Sequence, residues 1–308
     1  MGANGAEAGD QVSAGNLAEA LVALGRAPQV VPDTWVSPRR FADGAAWHIE
    51  IPSVEGPAAL SAVVDEARRC GIRIDRISQG SGIGQLSDEA LIEMAALGRA
   101  EGIETVLWAG ARAGWDISAM ARSTGGASSA GSVRGERGLG AALEEAVRAA
   151  RAGINGVLMA DVGVLRLLGR ARGAGVLPED FVLKTSIALP TLNAEAAECY
   201  VELGATSLNL PTDLPLEDIA AIRRAVDVPL DCYIEGADDF AAPLRYHELA
   251  EIVTVAAPVH IKFGLRNVAG TYPAGGHLAG AVIEGSRERV RRAALGVAQL
   301  ERRGIGRA

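Results

Sequence analysis

Residues 206–235 read TSLNLPTDLPLEDIAAIRRAVDVPLDCYIE. The first run alternates, with Leu208 and Leu210 on one side and Ser207 and Asn209 on the other. LEDIAAIRRAV follows with helical spacing, and then Leu230, Cys232 and Ile234 alternate with Asp231, Tyr233 and Glu235. Strand, helix and strand in so short a span make one right-handed crossover unit, which lays two parallel strands side by side.

The same unit recurs on both sides. Strand-like runs occur at 47–53 (WHIEIPS), 72–78 (IRIDRIS), 104–110 (ETVLWAG), 156–161 (GVLMAD), 181–187 (FVLKTSI), 206–211, 229–235 and 260–265 (HIKFGL). Between them lie amphipathic stretches such as PAALSAVVDEARRCG, DEALIEMAALGRAEG and AALEEAVRAARAG, several ending at the glycine that a helix C-terminus favours. Eight β-runs with intervening helices predict an α/β fold, a (β/α)₈ TIM barrel over residues 46–304. No GxGxxG follows the first run, which argues against an open dinucleotide-binding sheet. Residues 1–45 are expected to form an N-terminal extension, disordered over 1–14 and helical over 15–26. Between the third and fourth runs the spacing lengthens, and the Gly/Ser/Arg-rich GARAGWDISAMARSTGGASSAGSVRGERG is expected to be a structureless lid or mobile loop.

The chain has 308 residues, enough for a large core, with 49% hydrophobic and 22% charged side chains. No run is long and apolar enough to span a membrane, and no signal peptide is visible, so a cytoplasmic protein without a membrane partner is expected. A net charge of −8 disfavours nucleic-acid binding. The three widely spaced cysteines, Cys70, Cys199 and Cys232, form no metal-type pair. Acidic barrels commonly self-associate, so a homo-oligomer is a possible state. Of 30 Lys and Arg residues only Lys184 and Lys262 are lysine.

Alternation along a strand separates a helix-facing set from a luminal one. It assigns to the lumen His48 and Glu50, Lys184, Asn209, Asp231, Tyr233 and Glu235, and His260 and Lys262. Barrel interiors are normally apolar, and buried charges are costly unless paired. Both lysines fall in this set, either as members of buried ion pairs or as functional groups. Lys184, Lys262, Glu50, Glu235, Asp231, Tyr233 and His260 are therefore the candidate catalytic residues.

A desolvated lysine beside another cation can be a Schiff-base nucleophile or general base. Glu50, Asp231 and Glu235 could instead hold a divalent metal ion, the one possible cofactor. Either suits a lyase or isomerase working next to the carbonyl of a small polar or anionic substrate. His48, Gln79, Asn209 and Arg266 are the candidate substrate-binding residues. The Gly-rich SQGSGIGQ (78–85) could cradle an anion with backbone N–H groups, and Arg266 could clamp one from the loop after the eighth strand.

Residues 201–239 resemble the collagenase-like bacterial peptidases of family U-thirty-two, in the segments ELGA, LPLEDI and a strand followed by Gly-Ala. The resemblance implies a barrel fold and, as an alternative activity, peptidase-like hydrolysis; a non-catalytic metabolite-binding barrel is a further reading. Asp231 stands where the family has Glu, Tyr233 where it has Phe, Glu235 where it has His, and Asp239 where it has Cys. Members that modify RNA or hydroxylate substrates use the cysteines for an iron–sulfur cluster, which this chain is expected to lack.

Overall fold

Strand β1 (Trp47–Pro52) pairs in parallel with β2 (Arg76–Gln79) on one side and β8 (Val259–Phe263) on the other. In the computed structural model, which describes residues 35–116, 118–238, 243–268 and 270–308, the order continues outward from this triplet. It runs through β3 (Glu104–Trp108), β4 (Gly156–Met159) and β5 (Val182–Thr185) on one side. On the other it runs through β7 (Leu230–Glu235) to β6 (Leu208–Asn209). A parallel bridge between Lys184 and Ser207 joins β5 to β6 and closes the (β/α)₈ barrel. The expected extension helix and disordered arm over residues 1–34 lie outside the described residues, as does Asp239.

Among the described residues eight α-helices flank the barrel: α1 (Pro57–Cys70), α2 (Asp88–Glu101), α3 (Gly135–Ala152), α4 (Val162–Gly173), α5 (Ala194–Glu202), α6 (Leu216–Ala225), α7 (Leu249–Ala256) and α8 (Ala279–Arg302). Their ends follow local chemistry. Ser87, Asp161 and Asn193 cap α2, α4 and α5 by accepting from backbone N–H groups, each cap being worth about 1 kcal/mol. Gly71, Gly102 and Gly153 close α1, α2 and α3 in the left-handed conformation.

The main core lies between strands and helices and holds Ile77 together with Ile49, Ile51, Leu183, Leu208, Leu230, Cys232, Ile261 and Phe263, the last eight being in the outward set that alternation assigns. Burying each large aliphatic side chain stabilises the fold by roughly 1.5–3 kcal/mol. A second, smaller apolar cluster, Val106, Trp108, Leu158 and Ala160, stands apart from it on β3 and β4. These residues form an apolar half of the lumen, opposite the charged half from β1, β2 and β5–β8. At the N-terminal end of the barrel the chain's last residues stitch back, with Trp47 Nε1 donating to the Gly306 carbonyl at 2.8 Å and Arg307 Nη2 2.5 Å from Asp75.

Candidate active site

The polar luminal residues sit at different heights. At the N-terminal end, the register places His48 beside His260. The Phe41 ring stacks on His48 with centroids 3.8 Å apart, and His48 Nε2 lies 3.0 Å from Asp43. His48 thus belongs to a plug that closes the bottom of the barrel, away from the C-terminal mouth where its proposed substrate role would place it.

Above the plug, Glu50 is the hub. It is fully buried, and Lys184 Nζ donates to its Oε2. Lys262 Nζ lies 3.0 Å and the Ser78 hydroxyl 2.7 Å from Oε1, with Arg76 3.6 Å from Oε2. Asp231 is the second hub. It accepts from Ser207 at 2.8 Å and Arg76 at 3.1 Å, faces Lys184 at 3.5 Å, and lies 3.1 Å from His260 Nδ1. Arg76 also pairs with Glu104 at the start of β3. Lys184 is therefore bound between two carboxylates, the buried ion pair that was one of its two readings.

Sequence alternation missed Arg76. Ile72 and Ile74 suggest one strand phase, but the strand begins only at Arg76, and Ile77 carries the opposite phase. Arg76 and Ser78 point inward as a result.

The charges have different protonation tendencies. Burial pushes Glu50 up, but Lys184, Lys262 and Arg76 outweigh it and hold it well below the usual carboxylate range. Burial likewise pushes Asp231 up, and Lys184, His260 and Arg76 bring it net down to about 2. Burial dominates Lys184 and lowers it to about 8 despite both carboxylates. Lys262 goes the other way: burial lowers it, but Glu50, Tyr233 and Asp231 raise it above the ordinary lysine value. Burial and Arg76 lower His260, so it is neutral at pH 7.

A cavity of about 250 Å³ opens over this network at the C-terminal end of the strands. That is just below the roughly 300–1,000 Å³ of typical ligand sites. Lys262, Asn209, Tyr233 and Ser186 line its polar side, and Trp108 and Leu158 its apolar side. Lys262 Nζ sits 4.4 Å from the Tyr233 ring centroid, and Asn209 Oδ1 accepts from it at 3.2 Å in the amide orientation that satisfies both partners. Lys184 does not line the cavity, so Lys262 is the lysine that a ligand meets.

The long segment between β3 and α3 covers the mouth and contributes Arg112, Gly114, Trp115, Ala130 and Gly131 to its wall. It is not structureless, as its composition suggested. Ala113 N donates to Ser132 O at 2.8 Å and Gly114 N to Ala130 O at 3.0 Å, so the two limbs pair, and short 3₁₀ turns span Met120–Arg122 and Thr124–Ser129.

Several sequence assignments move. Glu235 leaves the lumen because a bulge between Tyr233 and Glu235 shifts it to pair with Phe263, an outward residue. It accepts from the Tyr246 hydroxyl at 2.9 Å instead. Glu50, Asp231 and Glu235 therefore do not converge as metal ligands, and among the described residues no three His, Cys, Asp or Glu side chains are arranged to hold a metal ion. Arg266 pairs with Asp238 at 3.0 Å on the loop after β8 and does not line the cavity. Gln79 does line it, but its amide is engaged with Gly82, donating to O and accepting from N at 3.1 Å each. The Gly-rich loop holds no open cradle: Gly80 N and Ser81 N both donate to the Glu55 carboxylate at 2.8 Å.

Comparisons with known proteins agree with this architecture. The profile of peptidase family U32 matches residues 133–242, from the end of the covering segment to just past β7, so the resemblance in 201–239 belongs to a longer match. No curated protein sequence matches the chain. Among solved structures, a putative fructose-1,6-bisphosphate aldolase from Coccidioides immitis is similar with a TM-score of 0.53 at 14% identity, over 82% of this chain and 90% of that one. The YdjI aldolase of Escherichia coli K12 gives 0.49 at 16% identity, over 85% and 92%. The U32 peptidase Mk0906 gives 0.42 at 15% identity, over 65% and 73%. At 14% identity the likeness to the Coccidioides immitis structure is one of fold alone.

Proposed function

We propose that the chain is a barrel enzyme of small-molecule metabolism, a lyase or isomerase acting next to the carbonyl of its substrate. One observation carries this reading: Lys262, held as an ammonium by Glu50 at 3.0 Å, forms the polar floor of a small cavity whose opposite wall is Trp108 and Leu158. A substrate carbonyl oxygen resting on Lys262 Nζ would gain a donor that is already oriented and largely desolvated. As a proton passes from the neighbouring C–H bond to solvent water, the electron pair it leaves behind moves onto the carbonyl, and the ammonium balances the charge that develops on oxygen. Asn209, bonded to the same Nζ, fixes its direction, and Lys184 and Arg76 hold Glu50 in place from below. An imine route is disfavoured, because the nucleophile must be the neutral amine and Glu50 keeps Lys262 charged.

The test is solvent deuterium exchange into a panel of small 2-oxo acids and hydroxyketones, followed by NMR. Exchange beside the carbonyl is expected with the native protein and is expected to fall at least about 100-fold in K262M, the scale of losing one oxyanion donor. Borohydride treatment with the same panel is expected to leave the chain mass unchanged. An adduct on Lys262 would replace this role with imine chemistry, and no exchange with any member would overturn the reading.

Peptide hydrolysis is favoured by one observation, the family match over residues 133–242. Cleavage of a peptide library by the native protein, lost in K262M, would move the assignment there.

A further inference from the structure

We propose that Arg112 is the anion-holding residue of this cavity, so that the ligand taken by the site carries a carboxylate or a phosphate monoester at the end opposite Lys262. The inference rests on the reading of the cavity as a substrate site and names the ligand class it selects.

Arg112 lies in the covering segment, not on a strand. Its guanidinium carbon sits 3.7 Å from the Trp108 ring centroid and 4.3 Å from that of Trp115, so two indoles sandwich the flat cation. Tyr272 approaches the same group at 5.5 Å. One nitrogen, Nη2, donates to the Gly80 carbonyl, which fixes the fork's orientation. The remaining donors are unused: Nε is buried without a partner, and the guanidinium forms no ion pair among the described residues. The nearest carboxylate influence is Glu55, but its oxygens accept from Gly80 N and Ser81 N at 2.8 Å.

A partly buried arginine usually meets a carboxylate, because an unpaired cation away from water is costly. Here the aromatic faces offset part of that cost and leave the fork open toward the cavity that Arg112 lines. Burial draws the group down to about 10, which still leaves it cationic at neutral pH. A planar fork with free N–H groups matches the paired oxygens of a carboxylate or phosphate. The positions first suggested for anion binding are already engaged, Arg266 by Asp238 and the Gly-rich loop by Glu55.

The indoles also supply the readout. Tryptophan fluorescence of the full chain is titrated with three probes: a small 2-oxo acid, the matching 2-oxo amide, and a hydroxyketone phosphate. The acid or the phosphate is expected to bind at least tenfold more tightly than the amide, and the tighter of the two identifies the source of the anion. In R112Q the preference for the anion over the amide should vanish, while near-ultraviolet circular dichroism reports the fold. If R112Q does not fold, R112K decides: the charge remains but the fork is lost, and the preference is expected to drop severalfold. Equal binding of all three probes to the native protein, or an unchanged preference in the folded arginine variants, would overturn the inference. In the native protein, anion preference without deuterium exchange would overturn the proposed reaction and leave this assignment standing, whereas exchange without anion preference would do the reverse.

Discussion

Lys262 Nζ lies 3.0 Å from Glu50 Oε1, while the other oxygen of the same carboxylate binds Lys184. One buried anion thus serves two lysines, but only Lys262 reaches the cavity. Lys184 supports Glu50 from below, and Asp231 balances Lys184 in turn. Glu50, Lys184 and Asp231, which surround the charge at the cavity floor, do not themselves line the cavity.

Replacing Glu50 tests that dependence directly. E50Q leaves Lys184, Lys262 and Arg76 clustered without their common anion. Breaking a buried pair on one side costs about 3–5 kcal/mol, so urea denaturation should show a loss of that order. An E50Q protein as stable as the native one would mean that the cluster is not closed to water.

Acid stability should depend on Asp231. The unfolded side chain takes up a proton near 3.8, whereas the folded one resists until about 2. Between those values the unfolded chain binds more protons, so stability falls as pH falls, by an amount on the order of 2 kcal/mol. D231N should be less stable at neutral pH and should show a shallower decline across this window. Denaturant melts at pH 4.0, 3.0 and about 2.0 compare the two slopes.

His48 should be dispensable for ligand binding. It stacks on Phe41 and faces Asp43 at the bottom of the barrel, under the charged network. H48A is expected to cost about 1 kcal/mol in stability from the lost ring contact. Its affinity for small acids should match that of the native protein, and a tenfold loss would place His48 in the site after all.

Gly80 should resist substitution. A Cβ at this position would lie 2.5 Å from the Tyr272 ring, which itself bonds Ser53 and lines the cavity. G80A must displace that ring or the loop, an overpacking strain of about 1–3 kcal/mol. Thermal unfolding should show the loss, and ligand affinity should fall with it.

The barrel was legible because alternation and helical spacing are local properties. Leu208, Leu230, Cys232 and Ile261 fall on the helix side, and Glu50, Lys184, Asp231, His260 and Lys262 meet in the lumen, where the period of two places them. Where a strand departed from that period, the reading failed. The bulge after Tyr233 turned Glu235 outward, and the late start of β2 hid Arg76.

Composition and periodicity alone thus determined the fold class and the charged interior, because a strand's two faces are written in its own residues. Tertiary structure decided which charges pair, which lysine meets the cavity, and which arginine stays open toward it. Those outcomes depend on groups far apart in the chain. Glu55 fills the Gly80–Ser81 cradle across 25 residues or more, and the segment after β3 folds over the mouth to set Arg112 between Trp108 and Trp115. No local pattern encodes such contacts, since they exist only once the barrel has closed and brought its loops to one face.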